Sequence, residues 1–417
     1  MAYEELIYDW NTVAGPDIPI EPGRRYMLDD ESLRDGLQSP SVYDPPIEDK
    51  IEILHLMEEL GIESVNLGLP GAGSRARADV ERLAREIANS KMKIRPNCAA
   101  RTVEADIRPI AEVSDRVGIA IEAATFLGSS PIRRFVEEWD TDFLLQTTEH
   151  AVRYARSLGL PVMYVTEDTT RADPETIKKL YTTAIQCGAE AIVICDTCGH
   201  VTPKGVQNLI TFVMKEIVKP SGRKIRVDWH GHCDRGLAVA NSLAAFAAGV
   251  DQVHGCALSI GERVGNTPID LMLVNMKLMG LIDRDLSRLG DYCEKIAKAV
   301  RVPIPQNYPV IGRDAFRTAT GVHAAAVIKA YRKGDVRLAN SVYSGVPSHL
   351  FGRDQVIEIG PMSGKSNIIY WLEKRGLEPT EELVERIFAA AKQSLRLLTD
   401  EEIYALCGTA IPQPHQD

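Results

Sequence analysis

Long apolar runs are missing from this 417-residue chain; none approaches the ~20 residues that a membrane-spanning helix needs. Basic runs are missing too. With a formal net charge of −10, nucleic acid is not the expected main partner, although a local basic pocket for an anion stays open. The eight cysteines, Cys98, Cys187, Cys195, Cys198, Cys233, Cys256, Cys293 and Cys407, show no small-secreted-protein spacing. The polar, acidic opening MAYEELIYDW has no signal-like character, so a reducing, cytoplasmic setting is expected. Cys195 and Cys198 form a C-x-x-C without a second pair at zinc-finger spacing. The surrounding AIVICDTCGH reads as a buried strand entering a loop, so a structural role is expected for both. No G-x-G-x-x-G follows the first apolar run, which disfavours a dinucleotide-binding open sheet.

What is present is ordinary in bulk and regular in pattern. The chain is 45% hydrophobic and 25% charged, and it is long enough to bury a large core. Short runs rich in β-branched residues recur: RYML (25–28), SVNLGL (64–69), KIRPNC (93–98), RVGIAIEAA (116–124), PVMYVT (161–166), AIVIC (191–195), IRVDWH (225–230) and DQVHGC (251–256). Helix-periodic segments stand between them, such as IEDKIEILHLMEEL (47–60) with Gly61 as its stop and DPETIKKLYTTAIQ (173–186) with its Asp-Pro start. Eight strands strictly alternating with helices imply parallel pairing through right-handed crossovers, and eight such units close a barrel. The expected class is therefore α/β, a (β/α)8 TIM barrel followed by small C-terminal helical subdomains. The expected divisions are an N-terminal segment (1–24), the barrel (25–283) and helical subdomains at 284–333 and 334–417. Helices are expected at 286–300, 317–332 and 381–398, and the final IPQPHQD reads as a loose tail.

In a barrel, strand C-terminal ends converge on one mouth. Three ends carry polar clusters here. Strand 1 runs into LDDESLRDGLQ, with Asp29, Asp30, Glu31, Arg34, Asp35 and Gln38; strand 7 ends in WHGHCD; strand 8 leads into SIGERVGN, with Glu262, Arg263 and Asn266. A lone histidine is more often a packed core residue than a ligand. His230 and His232, however, alternate on one strand and project to the same side. Strands 1, 7 and 8 become neighbours when the barrel closes, so Asp35 and Asn266 can complete the shell of a divalent metal. Mixed N/O ligands suit Mg²⁺, Mn²⁺, Co²⁺ or Zn²⁺ acting as a Lewis acid.

These residues carry a resemblance. S-L-R-D-G-L-Q (32–38), E-D-T-T-R (167–171), D-T-C-G-H (196–200), H-G-H-C-D-R-G-L-A-V-A-N (230–241) and G-E-R-V-G-N (261–266) are similar to the metallolyase barrels that make and break C–C bonds. A-T-G-V-H-A-A-A-V-I-K (319–329), V-Y-S-G-V-P (342–347) and M-S-G-K-S (362–366) extend the likeness beyond the barrel, toward the 2-isopropylmalate, homocitrate and citramalate synthases. That resemblance implies a Claisen-type condensation of an acyl-CoA, usually acetyl-CoA, with a 2-oxo acid. It implies Arg34 at the developing alkoxide, His323 with Tyr343 in acid–base work, and Glu167 and Thr197 near the substrate. Arg171, Gln38 and Glu262 are then positioning groups. A homodimer is implied as well, with the helical region entering a partner's site. The alternatives are a hydroxyacyl-CoA lyase or aldolase on the same metal site, and a non-catalytic regulator that kept the fold.

The sequence departs from the family pattern at Cys233, where Asn is usual, at Asn66, where an acid is usual, and at Cys256, where Thr is usual. The fourth strand's TFLGSSPIRRF is also unlike the usual substrate-reading segment. Ser129, Ser130 and Arg133 in it are candidates to recognise a polar or anionic substrate tail.

Overall fold

The computed structural model describes residues 6–20 and 23–409, and the tail expected at 411–417 lies outside them. The apolar runs become β1 (Met27–Asp30), β2 (Ser64–Asn66), β3 (Arg95–Arg101), β4 (Glu122–Gly128), β5 (Val162–Glu167), β6 (Ala191–Asp196), β7 (Arg226–Gly231) and β8 (Gln252–Gly255). They close a barrel in chain order, every neighbouring pair parallel, with β8 returning to β1 through Asp29↔His254 and Asp30↔Gly255. The α/β TIM-barrel expectation holds.

The helices between strands start and stop where their local chemistry dictates. Pro174–Cys187 is capped by Asp173, whose side chain accepts from the Thr176 N–H, and Gly188 ends it at φ 111°. A carboxylate there satisfies a donor that the first helical turn leaves free, and the glycine takes the left-handed closing conformation. The fourth strand begins later than expected. Arg116 and Val117 close the helix Glu104–Val117, and Gly118 caps it at φ 77°. The apolar string VGIAI spans that boundary without a change of character, so periodicity alone cannot divide it.

Inside the barrel, the two halves differ in kind. Around β1, β2, β3 and β8, Asp29 accepts from Asn97 Nδ2 (2.8 Å) and from the Ser64 hydroxyl. Ser64 in turn accepts from Gln252 Nε2 (2.6 Å). Arg226 joins Glu122 at 2.8 Å and Asp228 at 3.0 Å. Across from the strand 8–1 seam, Ala124, Met163, Ala191, Val193 and Cys195 make an apolar cluster with Val165. Bonding among its members offsets the cost of burying such a network, although Asp29 Oδ2 and Asn97 Oδ1 keep no hydrogen-bond partner.

The described chain divides into two compact units. The larger holds Asp9–Arg284 and Asp291–Pro303; the smaller holds residues 6–8, Asp285–Gly290 and 304–409. The smaller unit carries the helices Gly321–Arg332, Val336–Ser341, Lys365–Lys374, Glu381–Gln393 and Asp400–Cys407. The helix expected from 317 starts only at Gly321, because Arg317–Thr318 pairs in parallel with Val356–Ile357. Gly321 is required there, since a Cβ would lie 2.8 Å from the Gly364 backbone nitrogen. One core packs Trp371, Leu372, Ile387 and Ile403; another packs Ala324, Val327, Ile328 and Ile357.

Candidate metal centre

Three elements aim side chains at one point above the barrel. The segment after β1 turns back at once: the Asp30 carboxylate accepts from the Ser32 N–H (2.8 Å), and a short helical turn, Gly36–Gln38, follows Asp35. β7 supplies His230 and, one step past its end, His232, which bridges to Asn266. The segment after β8 is bent hard. Leu258, Ser259 and Arg263 all adopt left-handed backbone, at φ 53°, 58° and 56°. Such conformations persist only where their surroundings over-determine them. Gly261, at φ 142°, lies so close that a Cβ would come 2.2 Å from Asn266 Nδ2 and 3.1 Å from Asp35 Oδ1.

The resulting geometry fits a cation. His230 Nε2 and His232 Nε2 are 3.1 Å apart. Two imidazole nitrogens bound to one ion at about 2.1 Å, at right angles, lie about 3.0 Å from each other. Asp35 Oδ2 is 3.9 Å from His230 Nε2, and Asp35 Oδ1 accepts from Asn266 Nδ2 at 2.7 Å. Asp35, His230 and His232 form a buried group able to offer one ligand atom each to a common ion. Asn266 Oδ1 and His232 Nδ1 are buried without a hydrogen-bond partner, so polar capacity at the site is unspent. Behind the ligand face, His230 Nδ1 lies 2.8 Å from Glu31 Oε2. A carboxylate there fixes the ring and leaves Nε2 free to coordinate.

The charge states agree with this reading. Burial, first of all, pushes the His232 ring down to about 4, so it stays neutral. Burial alone would raise the Asp35 and Glu31 carboxyls, but the Arg34 guanidinium beside them holds Asp35 below and Glu31 well below the usual range. Anionic carboxylate and neutral imidazole are the forms that bind metal. A second cluster, Glu31, His230 and His254, is also close enough to share an ion. His254 is the wrong species for it. Burial opposes its charge, yet Asp29, Asp228 and Glu31 overcome that and push the ring up to about 10. Its protonated form is thereby favoured, ion-paired with Asp29, Glu31 and Asp228.

Arg34, Gln38, Glu167, Thr197 and Glu262 line one cavity of about 360 Å³ together with Asp35, His230 and His232. Arg34 donates to Glu31 at 2.5 Å and to Asp35 at 2.8 Å. Burial raises the Glu167 carboxyl. Four expected substrate contacts, Ser129, Ser130, Arg133 and Arg171, sit outside that lining. Arg171 grips Asp168 at 2.7 Å, the Ser129 hydroxyl donates to the Glu167 carbonyl at 2.9 Å, and Arg133 pairs with Glu137 at 2.9 Å. Ser130 caps the helix Pro131–Glu137. His323 and Tyr343 belong to the smaller unit, where their rings stack with centroids 4.1 Å apart. Sequence reasoning assigned no role to His254 or Glu31. The signal for His254 was its place on strand 8, which the closing register sets beside Asp29.

A family model described as HMGL-like matches residues 25–294. The homocitrate synthase AksA of Methanopyrus kandleri is 31% identical over 90% of this chain and 88% of its own. The 2-isopropylmalate synthase of Pyrococcus abyssi is 30% identical over 92% of this chain and 77% of its own. Among solved structures, an HMG-CoA lyase of Bacillus subtilis superposes with a TM-score of 0.57 at 19% identity, covering 69% of this chain and 96% of that one, which speaks for the fold alone. The chain belongs to the HMGL-like family and, within it, to the group of homocitrate, 2-isopropylmalate and citramalate synthases.

Proposed function

We propose that this protein condenses an acyl-CoA, with acetyl-CoA the expected donor, and a 2-oxo acid, releasing CoA and a 2-hydroxy diacid. The observation that carries the reading is the convergence of Asp35, His230 and His232, with Arg34 anchored beside them. A divalent cation (Mg²⁺, Mn²⁺, Co²⁺ or Zn²⁺) held by those three residues and Asn266 would act as a Lewis acid toward the ketone and carboxylate of the oxo acid.

The chain's own residues divide the remaining work. Arg34 presents a fixed positive charge to the oxygen that becomes an alkoxide when the new C–C bond forms, and a guanidinium does not lose its proton there. Glu31 holds both Arg34 and His230 in place. The proton leaving the thioester methyl goes to the stacked pair His323–Tyr343, supplied by a partner subunit in a homodimer. Water then cleaves the thioester, giving the second carboxylate and the free thiol. Gln38, Thr197 and Glu262 position substrate at the cavity, which Glu167, its carboxyl raised by burial, also lines.

Thiol release from acetyl-CoA, measured with Mn²⁺ and a panel of 2-oxo acids, tests this. Stoichiometric CoA and hydroxy acid are expected with at least one of them. No release with any oxo acid, from protein shown to hold the metal, would sink the proposal.

A further inference from the structure

We infer that the oxo acid this barrel accepts carries an uncharged, apolar tail longer than a methyl group. The inference rests on the condensation reading above and names its substrate class. It starts from the two-sidedness of the cavity. The groups that face the cation come from β7 and the segments after β1, β7 and β8. The opposite wall is built by β3 to β6, chiefly from Ala99, Ala124, Met163, Val165 and Val193, with Glu167 at the end of β5. In a closed barrel of this order, β4 and β5 stand across from β8 and β1. An oxo acid with its carboxylate and ketone toward Asp35, His230 and His232 therefore extends its tail onto the apolar wall.

Charge points the same way. Each cationic side chain on the cavity already has an acid partner: Arg34 has Glu31 and Asp35, Arg263 has Asp234 at 2.9 Å, and His254 has Asp228 at 3.3 Å. Glu167 and Glu262 add further acids to the lining. A carboxylate at the end of the tail would lose its water and gain no counter-charge. Arg133, the cation expected to read such a group, is tied to Glu137 and lies outside the lining. An apolar tail instead gains from every carbon it buries, about fourfold in binding per methylene. Alanines at 99 and 124, where larger residues would fill the barrel, leave room for several carbons.

The test measures kcat/KM on Mn²⁺-loaded protein with acetyl-CoA and each of 3-methyl-2-oxobutanoate, 4-methyl-2-oxopentanoate, phenylpyruvate, pyruvate and 2-oxoglutarate. The best of the first three should exceed 2-oxoglutarate by at least about 100-fold and pyruvate by at least about fourfold. Equal or better use of 2-oxoglutarate, or a preference for pyruvate, overturns the inference. Calorimetric titration of the same acids into the Mn²⁺-loaded protein separates it from the reaction itself. If no thiol is released with any acid, the condensation reading fails, while tighter binding of the apolar acids still upholds the tail assignment. Tighter or equal binding of 2-oxoglutarate, or no binding of any acid, overturns it.

Discussion

His230 and His232 were readable from spacing alone, because alternation along a strand sends both rings one way. Asp35 was readable only with topology added, since it joins them through the closure of β1 on β8. Glu31 and His254 were not. Their importance lies in partners on other strands, His230 for Glu31 and Asp29 for His254, and no local pattern separates a supporting acid from a surface one. Two expectations follow at this scale. His232→Ala should strip the cation and abolish turnover while the fold persists, which metal analysis after gel filtration and circular dichroism would establish. Glu31→Gln keeps the shape but loses the charge that orients His230 and Arg34, so affinity for Mn²⁺ should fall by about 10- to 100-fold in a chelator competition.

At the level of elements, strand and helix order was legible throughout, because β-branched runs and 3.6-residue periodicity announce themselves. Boundaries were less so. β4 begins at Glu122, not at 116, since the preceding helix hands its apolar face to the strand without a break. The segment after β8 was legible as polar but not as strained. Its conformation makes a specific prediction. Gly261→Ala places a methyl group against Asn266 and Asp35 at a φ of 142°, a position that side chains seldom tolerate. It should cost about 1–3 kcal/mol in denaturant unfolding and weaken cation binding in parallel. Unchanged metal affinity would show that Asn266 and Asp35 are free to move apart.

For the molecule as a whole, pH and assembly are the variables. His254 has a folded pKa near 10, above the 6.5 of an unperturbed histidine. A raised folded value means that its contribution to stability is full below about pH 6.5 and fades as pH climbs through 10. Urea midpoints of metal-free protein at pH 6, 8 and 10 should therefore decline more steeply for the native chain than for His254→Gln. Equal slopes would remove His254 as the cause. Assembly is tested by mixing two inactive proteins, Arg34→Ala and His323→Ala. If each active site draws His323–Tyr343 from a partner, subunit exchange should restore activity to about a quarter of native, through the intact half of each mixed dimer. No recovery after demonstrated exchange would confine each site to one chain. The sequence pattern carried the expectation of exchange only through family resemblance, because nothing in a helix's own residues says whose barrel it serves.

The division of the barrel into a polar side and an apolar side has a practical reach. Ala99, Ala124, Met163, Val165 and Val193 line the cavity on β3 to β6, apart from Asp35, His230 and His232. A library confined to Ala99, Ala124, Met163, Val165 and Val193 thus varies appetite without disarming the chemistry. On the proposed reading, exchanging a few carbons on that wall would change which acid is preferred and leave the cation's ligands untouched.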